Sequence, residues 1–129
     1  MTNANSVTIS GNLTRDPQLR YLPGGQATAE VTVAVNRRWQ NTTTNAWEEA
    51  TSFFDVVCWG DLAEHVAEST ARGSRVMVTG RLEQRSWEAK GQKRSKVELV
   101  ADDVALSLRF AAAATTGTTK HPADATPAA

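Results

Sequence analysis

The chain has 129 residues and is poor in the residues that most often carry catalysis or hold a metal. Its one cysteine, Cys58, has no partner for an internal disulfide, which fits a reducing cytoplasm. The two histidines, His65 and His121, lie far apart in sequence, and a single cysteine does not complete a zinc site with them. The sequence also lacks a P-loop and a dinucleotide-binding glycine pattern. We therefore expect a protein that is not an enzyme, with no metal and no cofactor.

Long hydrophobic runs and an excess of one charge are absent as well. No stretch approaches the roughly 18 consecutive apolar residues of a membrane span. The N-terminal MTNANSVTIS has neither the basic nor the apolar region of a secretory signal. Fourteen basic residues balance fourteen acidic ones, so total charge favours no class of partner. Between Arg81 and Lys96, however, six basic residues minus two acidic ones leave a local charge of +4, which is also typical of a solvated hairpin.

The composition of the chain changes after Phe110. The remaining AAAATTGTTKHPADATPAA has no aromatic or large aliphatic side chain and shows no period. Such a segment cannot bury enough apolar surface to offset the entropy lost on ordering. We predict one folded domain over residues 1–110 and a disordered Ala/Thr/Pro-rich tail over residues 111–129.

The folded part shows mostly the alternation of apolar and polar residues that is typical of strands. Strands are predicted over Ser6–Leu13, Ala27–Val35, Ser52–Trp59, Arg75–Ser86 and Ser95–Val104. One amphipathic helix is predicted over Asp61–Ala71, with Asp61 or Gly60 as its N-cap, capping-box spacing between Asp61 and Glu64, and a C-terminal glycine at Gly73. Gly80, inside the fourth strand, indicates a bulge or a bend. Three strands, a helix and two strands are typical of the OB-fold, an all-β five-stranded Greek-key barrel with one helix, although other small barrels and sandwiches share the count.

The third strand carries two sets of side chains of opposite parity. We expect Phe54, Val56 and Cys58 to point into the barrel, together with Leu82 and Val97 from later strands. Burying the opposite set would bury a carboxylate without an obvious partner, which is costly. That set is therefore predicted to face solvent: Phe53, Asp55, Val57 and Trp59.

Aromatic residues at the strand ends are interleaved with arginine and lysine. Trp39 ends the second strand and Trp87 the fourth, while Phe53 and Trp59 share one face of the third. Unpaired bases can stack on such rings, at roughly 1–3 kcal/mol per base, and nearby cations neutralise phosphates. The pattern favours binding of single-stranded nucleic acid by these four residues and by the basic residues close to them: Arg37, Arg85, Lys90, Lys93 and Arg94.

Three long stretches resemble bacterial single-stranded DNA-binding proteins: GNLTRDPQLRYLPGGQATAEVTVAVNRRW, FFDVVCWGDLAEHVAE and GSRVMVTGRLEQRSWEAKGQKRSKVELVADDV. The resemblance implies an OB-fold that assembles as a homotetramer. It also implies binding and protection of single-stranded DNA without sequence preference, in replication, recombination or repair, by a cytoplasmic, nucleoid-associated protein. The family's stacking positions match Trp39, Phe53, Trp59 and Trp87. Its basic positions near the DNA match Arg72 and Arg85.

The chain departs from this family at several positions. Asp55 and Asp61 stand where relatives often have a basic residue, and Phe53 stands where they often have tryptophan. Trp47, predicted to lie in a loop, matches no DNA position of the family, and an added stack, a loop anchor and a subunit contact all stay open. The chain ends in HPADATPAA, with one acid and no apolar tip, whereas relatives usually end in acidic residues and a hydrophobic tip. We therefore expect it to resemble a paralogue, or a phage- or plasmid-borne member, that does not recruit the usual repair and replication enzymes.

Two further functions are compatible with the same residues. A protein-interaction OB module would use Trp39 and Trp87 as interface anchors, since aromatic residues and arginine dominate interface hot spots. An RNA-binding OB protein would use the same rings, because base stacking does not depend on the sugar.

Overall fold

The computed structural model of the chain describes residues 3–115. Within them lie six strands and one helix: β1 (Val7–Leu13), β2 (Gln18–Tyr21), β3 (Ala27–Gln40), β4 (Trp47–Trp59), α1 (Asp61–Ser69), β5 (Arg75–Ala89) and β6 (Gln92–Leu106). Of the predicted tail, residues 116–129 lie outside the described part. None of the helical structure in residues 3–115 has the length and apolar character needed to cross a membrane.

Five of the strands close into a barrel. β1 pairs with β5, β5 with β6 and β3 with β4, all antiparallel, and β4 pairs with β6 in parallel. The ring is completed by pairing of β1 with β3. The helix lies between the third and fourth barrel strands in chain order, which confirms the predicted OB-fold. The short β2 pairs with the start of β3 and is a strand beyond the five that were predicted.

Small and medium aliphatic side chains fill the barrel interior. The largest fully buried side chains are Val33, Val56, Val76, Val78 and Cys58. The helix packs against β3 and β4 and adds Ala63 and Val66 to this core. Burial of one valine-sized side chain stabilises the fold by roughly 1.5–3 kcal/mol, so this interior accounts for much of the barrel's stability.

Two hairpin arms extend beyond the barrel, and the strands that form them are longer than predicted. Pairing of β3 with β4 continues to Gln40 opposite Trp47, so Trp47 begins a strand rather than lying in a loop. Pairing of β5 with β6 continues to Ala89 opposite Gln92. The two residues between them, Lys90 and Gly91, have φ angles of 52° and 78°, as a tight type I′ turn requires. Because the arms are paired strands, their successive side chains point to opposite faces of the sheet, whereas side chains in a loop have no such fixed direction.

The inside and outside of the barrel differ from the prediction at four residues. Phe54 is 41% exposed, and Leu82 and Val97 are exposed as well. All three have the parity of core residues but lie where their strands leave the barrel, so no core remains beneath them. Val57 was predicted to face solvent and is only 7% exposed, because it lies in the middle of the sheet, between Glu30 of β3 and Val100 of β6.

The N-cap of α1 is Gly60, one of the two residues predicted for it, whereas the predicted capping box and the C-cap at Gly73 are wrong. The predicted bulge is confirmed. No side chain caps the start of α1 after Gly60, and the Glu64 carboxylate instead accepts a hydrogen bond of 2.8 Å from the Tyr21 hydroxyl. The helix ends at Ser69 with Thr70 as its C-cap, so Gly73, at a φ of 91°, belongs to the following turn. The register of β5 against β6 shifts between Thr79 and Gly80, where the bulge was expected.

Candidate nucleic-acid interface

The strand register brings most of the predicted binding residues to one face of the sheet. Residues that pair across antiparallel strands share a side, and successive residues alternate between sides. Trp87 pairs with Arg94 and Arg85 with Lys96, and these four side chains share one side of β5–β6. The parallel pair Val57–Val100 joins that side to the odd-numbered residues of β4. We call this side the outer face, and it carries Arg38, Trp47, Phe53, Asp55, Trp59, Arg85, Trp87, Arg94 and Lys96.

The aromatic side chains of the outer face are open to solvent. Phe53 is 64% exposed, and Trp59 and Trp87 are also exposed. None of the three has the parity of the buried core residues Val56 and Cys58. The rings therefore have free surface on which a flat molecule can stack.

Trp39 and Arg37 lie on the opposite side of the β3–β4 arm. Trp39 pairs with Glu48, and both have the parity of the core residues of these strands. The Arg37 guanidinium carbon lies 5.7 Å from the centroid of the Trp39 ring. Lys93, which pairs with Glu88, lies likewise on the side of β5–β6 away from the outer face. The structure therefore does not place these predicted residues beside Phe53, although the exposed arm leaves the Trp39 ring open to solvent.

Arginine covers one side of each of the two outermost tryptophan rings on the outer face. The Arg85 guanidinium carbon lies 5.3 Å from the Trp87 ring centroid, and that of Arg38 lies 4.9 Å from the Trp47 centroid. A guanidinium at this distance is attracted to the face of an indole. Each pair thus presents a second ring face for stacking and a positive charge next to it.

A chain of ion pairs crosses the middle of the outer face. The Lys96 ammonium lies 2.9 Å from a carboxylate oxygen of Asp55 and 3.5 Å from one of Glu98. Arg85 lies 3.8 Å from the same Glu98 carboxylate, and the Thr32 hydroxyl donates a 3.1 Å hydrogen bond to Asp55. The hydrogen bond from Lys96 holds the pKa of Asp55 below its ordinary value, and the same bond raises the pKa of Lys96. Asp55 thus has the partner that was predicted to be missing, and part of the local positive charge is neutralised.

Positive charge is left over at the tip of the β5–β6 arm. Within residues 3–115, no ion pair involves Lys90, Lys93 or Arg94. Arg72 lies apart from the sheet, in the turn after α1, where its backbone N–H donates to the Asp16 carboxylate at 2.8 Å. The tip of the arm is therefore the part of the interface best suited to an anionic chain.

Three outer-face residues were left out of the predicted site. Arg38 and Trp47 share the outer face because β3 continues past its predicted end at Val35 and β4 begins before its predicted start at Ser52. Lys96 shares it because it pairs with Arg85. Continuing the alternation along β3 to Arg38 and back along β4 to Trp47 would have placed both residues on this face. The position of Lys96 depends on the register between β5 and β6, which alternation does not give.

Comparison with known proteins identifies a family. The model of the single-strand binding protein family matches residues 4–107. The single-stranded DNA-binding protein of Mycolicibacterium smegmatis is 46% identical over 116 residues, which cover 88% of this chain and 70% of that protein. Single-stranded DNA-binding protein 2 of Streptomyces coelicolor is 46% identical over 121 residues, which cover 92% of this chain and 60% of that protein.

Solved structures agree with the fold. A Plasmodium falciparum SSB in complex with ssDNA superposes with a TM-score of 0.76 at 22% identity and covers 83% of this chain and 97% of its own. A deletion mutant of the single-stranded DNA binding protein from Thermus aquaticus superposes with a TM-score of 0.74 at 30% identity and covers 83% of this chain and 52% of its own. The family match over most of the folded part, together with relatives at 46% identity, shows that this chain belongs to the single-strand binding protein family.

Proposed function

We propose that the chain binds and protects single-stranded DNA without sequence preference, in replication, recombination or repair. The observation that carries the proposal is the outer face, where exposed aromatic rings and basic side chains lie together on one side of a barrel of this family. The relatives named above are themselves described as single-stranded DNA-binding proteins. Stacking on rings of this kind requires unpaired bases and tolerates any of them, so it favours single strands over a duplex.

The proposed contacts follow from the two kinds of side chain. Bases stack on Phe53, Trp59 and Trp87 of the outer face, and on Trp39 where the strand passes the other side of the β3–β4 arm. Arginine and lysine side chains bind phosphates and release counterions as they do so. The basic residues proposed for this role are Arg37, Arg72, Arg85, Lys90, Lys93 and Arg94. The role proposed for all of these residues is binding of bases and phosphates, without a catalytic step.

Assembly as a homotetramer is part of the proposal. Phe54, Leu82 and Val97 are exposed apolar residues on the side of the sheet opposite to the outer face. The first residues of β1, from Val7, pair with β5 on one side only, which leaves a free strand edge. Other copies of the chain would cover both features, which are liabilities in an isolated monomer. Sedimentation equilibrium, with and without oligo-dT, tests this assembly, and a monomer in both states contradicts it.

Residues 1–110 are proposed as the DNA-binding domain. Every proposed contact lies within them, and the barrel closes within them. Deletion of residues 111–129 is therefore expected to leave DNA affinity nearly unchanged. We also propose that the protein acts in the cytoplasm on nucleoid DNA, where its ligand is found.

Titration with oligo-dT, followed by intrinsic tryptophan fluorescence, tests the function. Base stacking on Trp59 and Trp87 should quench the emission strongly and to a stoichiometric end point. Oligo-rU and a blunt duplex of equal length serve as comparisons. An unchanged spectrum with oligo-dT contradicts the proposal and favours a protein-interaction module, whereas preferential quenching by oligo-rU favours an RNA-binding protein.

A further inference from the structure

We propose that Trp47 is an additional base-stacking residue, which extends the outer face from the barrel onto the β3–β4 arm. The inference rests on the proposed function. Of the three roles that the sequence leaves open for Trp47, it selects an added stack over a loop anchor or a subunit contact.

The three aromatic residues on the outward side of β4 are evenly spaced. Trp47, Phe53 and Trp59 follow one another at intervals of six residues, so all three have the parity of the outer face. At a rise of about 3.3 Å per residue, each interval is roughly 20 Å. A strand of DNA that follows β4 from Trp59 past Phe53 therefore meets Trp47 next. Trp39 lies on the other side of the same arm.

The Trp47 ring is exposed and has an arginine on one side. Trp47 is 59% exposed, close to the value for Phe53, so the ring is not a buried anchor for the turn. The Arg38 guanidinium carbon lies 4.9 Å from the ring centroid and covers one side of it, which leaves the other side to a base. Within residues 3–115, Arg38 forms no ion pair with Glu49, the acid opposite it, so its charge is available to a phosphate.

The experiment compares two substitutions at this position with a matched control. Trp47→Ala removes the ring, and Trp47→Phe keeps a smaller one. Tyr21→Ala is the control, because Tyr21 is 58% exposed but lies on β2 next to α1 and has the parity of the core residues. The dissociation constant is measured by fluorescence anisotropy for labelled oligo-dT of increasing length.

We expect Trp47→Ala to weaken binding of long oligo-dT by about 5- to 150-fold, the range found for loss of one stacked base. The loss should disappear for the shortest oligonucleotides that still bind, since these do not need to reach the arm. Trp47→Phe should retain most of the affinity, and Tyr21→Ala should bind like the unaltered chain. Equal affinity of Trp47→Ala and the unaltered chain at every length overturns the inference and leaves the proposed function intact. An unaltered chain that fails to bind oligo-dT overturns both.

Two further measurements separate stacking from a structural role. Sedimentation equilibrium of unliganded Trp47→Ala should match that of the unaltered chain, and a change of assembly state would overturn the inference in favour of a subunit contact. Photo-crosslinking of the unaltered chain to an oligonucleotide that contains 5-iodouracil does not depend on any variant's folding. A crosslink mapped to Trp47 supports the inference, and crosslinks confined to the other aromatic residues overturn it.

Discussion

Lys96 of β6 reaches across to Asp55 of β4 and forms a 2.9 Å ion pair in the middle of the outer face. Phe53 and Trp59 lie on either side of Asp55 along the same side of β4. The proposed DNA path therefore crosses a cation that already has an anionic partner. A phosphate that approaches Lys96 has to compete with the carboxylate.

Asp55→Asn should strengthen binding of single-stranded DNA. The neutral amide no longer competes for Lys96, and the repulsion between the carboxylate and the phosphates disappears. Since an exposed ion pair contributes up to about 1 kcal/mol, we expect a decrease in the dissociation constant of about two- to fivefold. One more phosphate contact should steepen the log–log salt dependence by about 0.7. Asp103→Asn, on β6 opposite Thr79, is the control for net charge, and an equal gain from it would contradict the competition.

The same carboxylate should make stability depend on pH in the acid range. Its folded-state pKa is lowered from 3.8, first by the hydrogen bond from Lys96. The unfolded chain therefore takes up the proton at higher pH than the folded chain. The contribution to the free energy of unfolding is present above the unfolded pKa and is lost as the pH falls through the folded value. Urea unfolding between about pH 2 and pH 6 should show a shallower acid decline for Asp55→Asn than for the unaltered chain, and parallel curves would refute this assignment.

Gly80→Ala should destabilise the barrel. A Cβ at this position would collide with the Val100 carbonyl oxygen and would lie 2.9 Å from the Ala101 Cα, and neither is a flexible side-chain end that can move aside. Overpacking of this kind typically costs about 1–3 kcal/mol in the free energy of unfolding. Gly24→Ala is the control, because the added methyl group meets nothing within 4 Å. Urea unfolding at neutral pH measures both, and equal stability of the two variants would show that the backbone at the bulge can yield.

Cys58 should be unreactive in the folded protein. Its side chain is fully buried, and burial raises the pKa of the thiol to about 11. Since the thiolate is the reactive species, a disulfide reagent at about pH 8 should react only after guanidinium unfolds the chain. Fast reaction of the native protein would mean that the core opens far more often than its packing suggests.

Trp39→Ala and Trp87→Ala should each weaken DNA binding by roughly 1–3 kcal/mol per stacked base and leave the thermal midpoint nearly unchanged. Both rings are exposed, so their loss leaves no cavity in the barrel. The two substitutions also probe opposite sides of the hairpin arms, because only Trp87 lies on the outer face. If both variants bind like the unaltered chain, neither Trp39 nor Trp87 is a stacking position.

Alternation of apolar and polar residues was sufficient to predict the five barrel strands and the exposure of Phe53, Trp59 and Trp87, and apolar residues at helical spacing were sufficient to predict the helix. These features depend on local pattern, which a single strand or helix displays by itself. The same pattern failed for Phe54 and Val97, because parity tells which side a residue is on and not whether anything covers that side.

Which residues share the outer face depends on the register between paired strands, and the pattern within one strand does not determine that register. Trp39 appears equivalent to the other aromatic residues in sequence, and only its pairing with Glu48 shows that it lies on the opposite side of the arm. The partner of Asp55 was likewise invisible, since Lys96 lies on a strand that follows the helix and β5. The arms themselves were predicted too short because polar segments such as Gln40–Thr44 resemble loops when their cross-strand partners are unknown.

The parallel seam between β4 and β6 has a consequence for how the chain folds. Each antiparallel hairpin joins neighbouring stretches of chain, whereas the seam pairs Val56 with Leu99 and Val57 with Val100 across the helix and the whole of β5. Contacts between distant segments lose chain entropy before they gain stability, so their formation limits the speed of folding. We therefore expect barrel closure to be slow, both at this seam and at the still more distant pairing of β1 with β5, and the two arms can form before the barrel that carries them is complete.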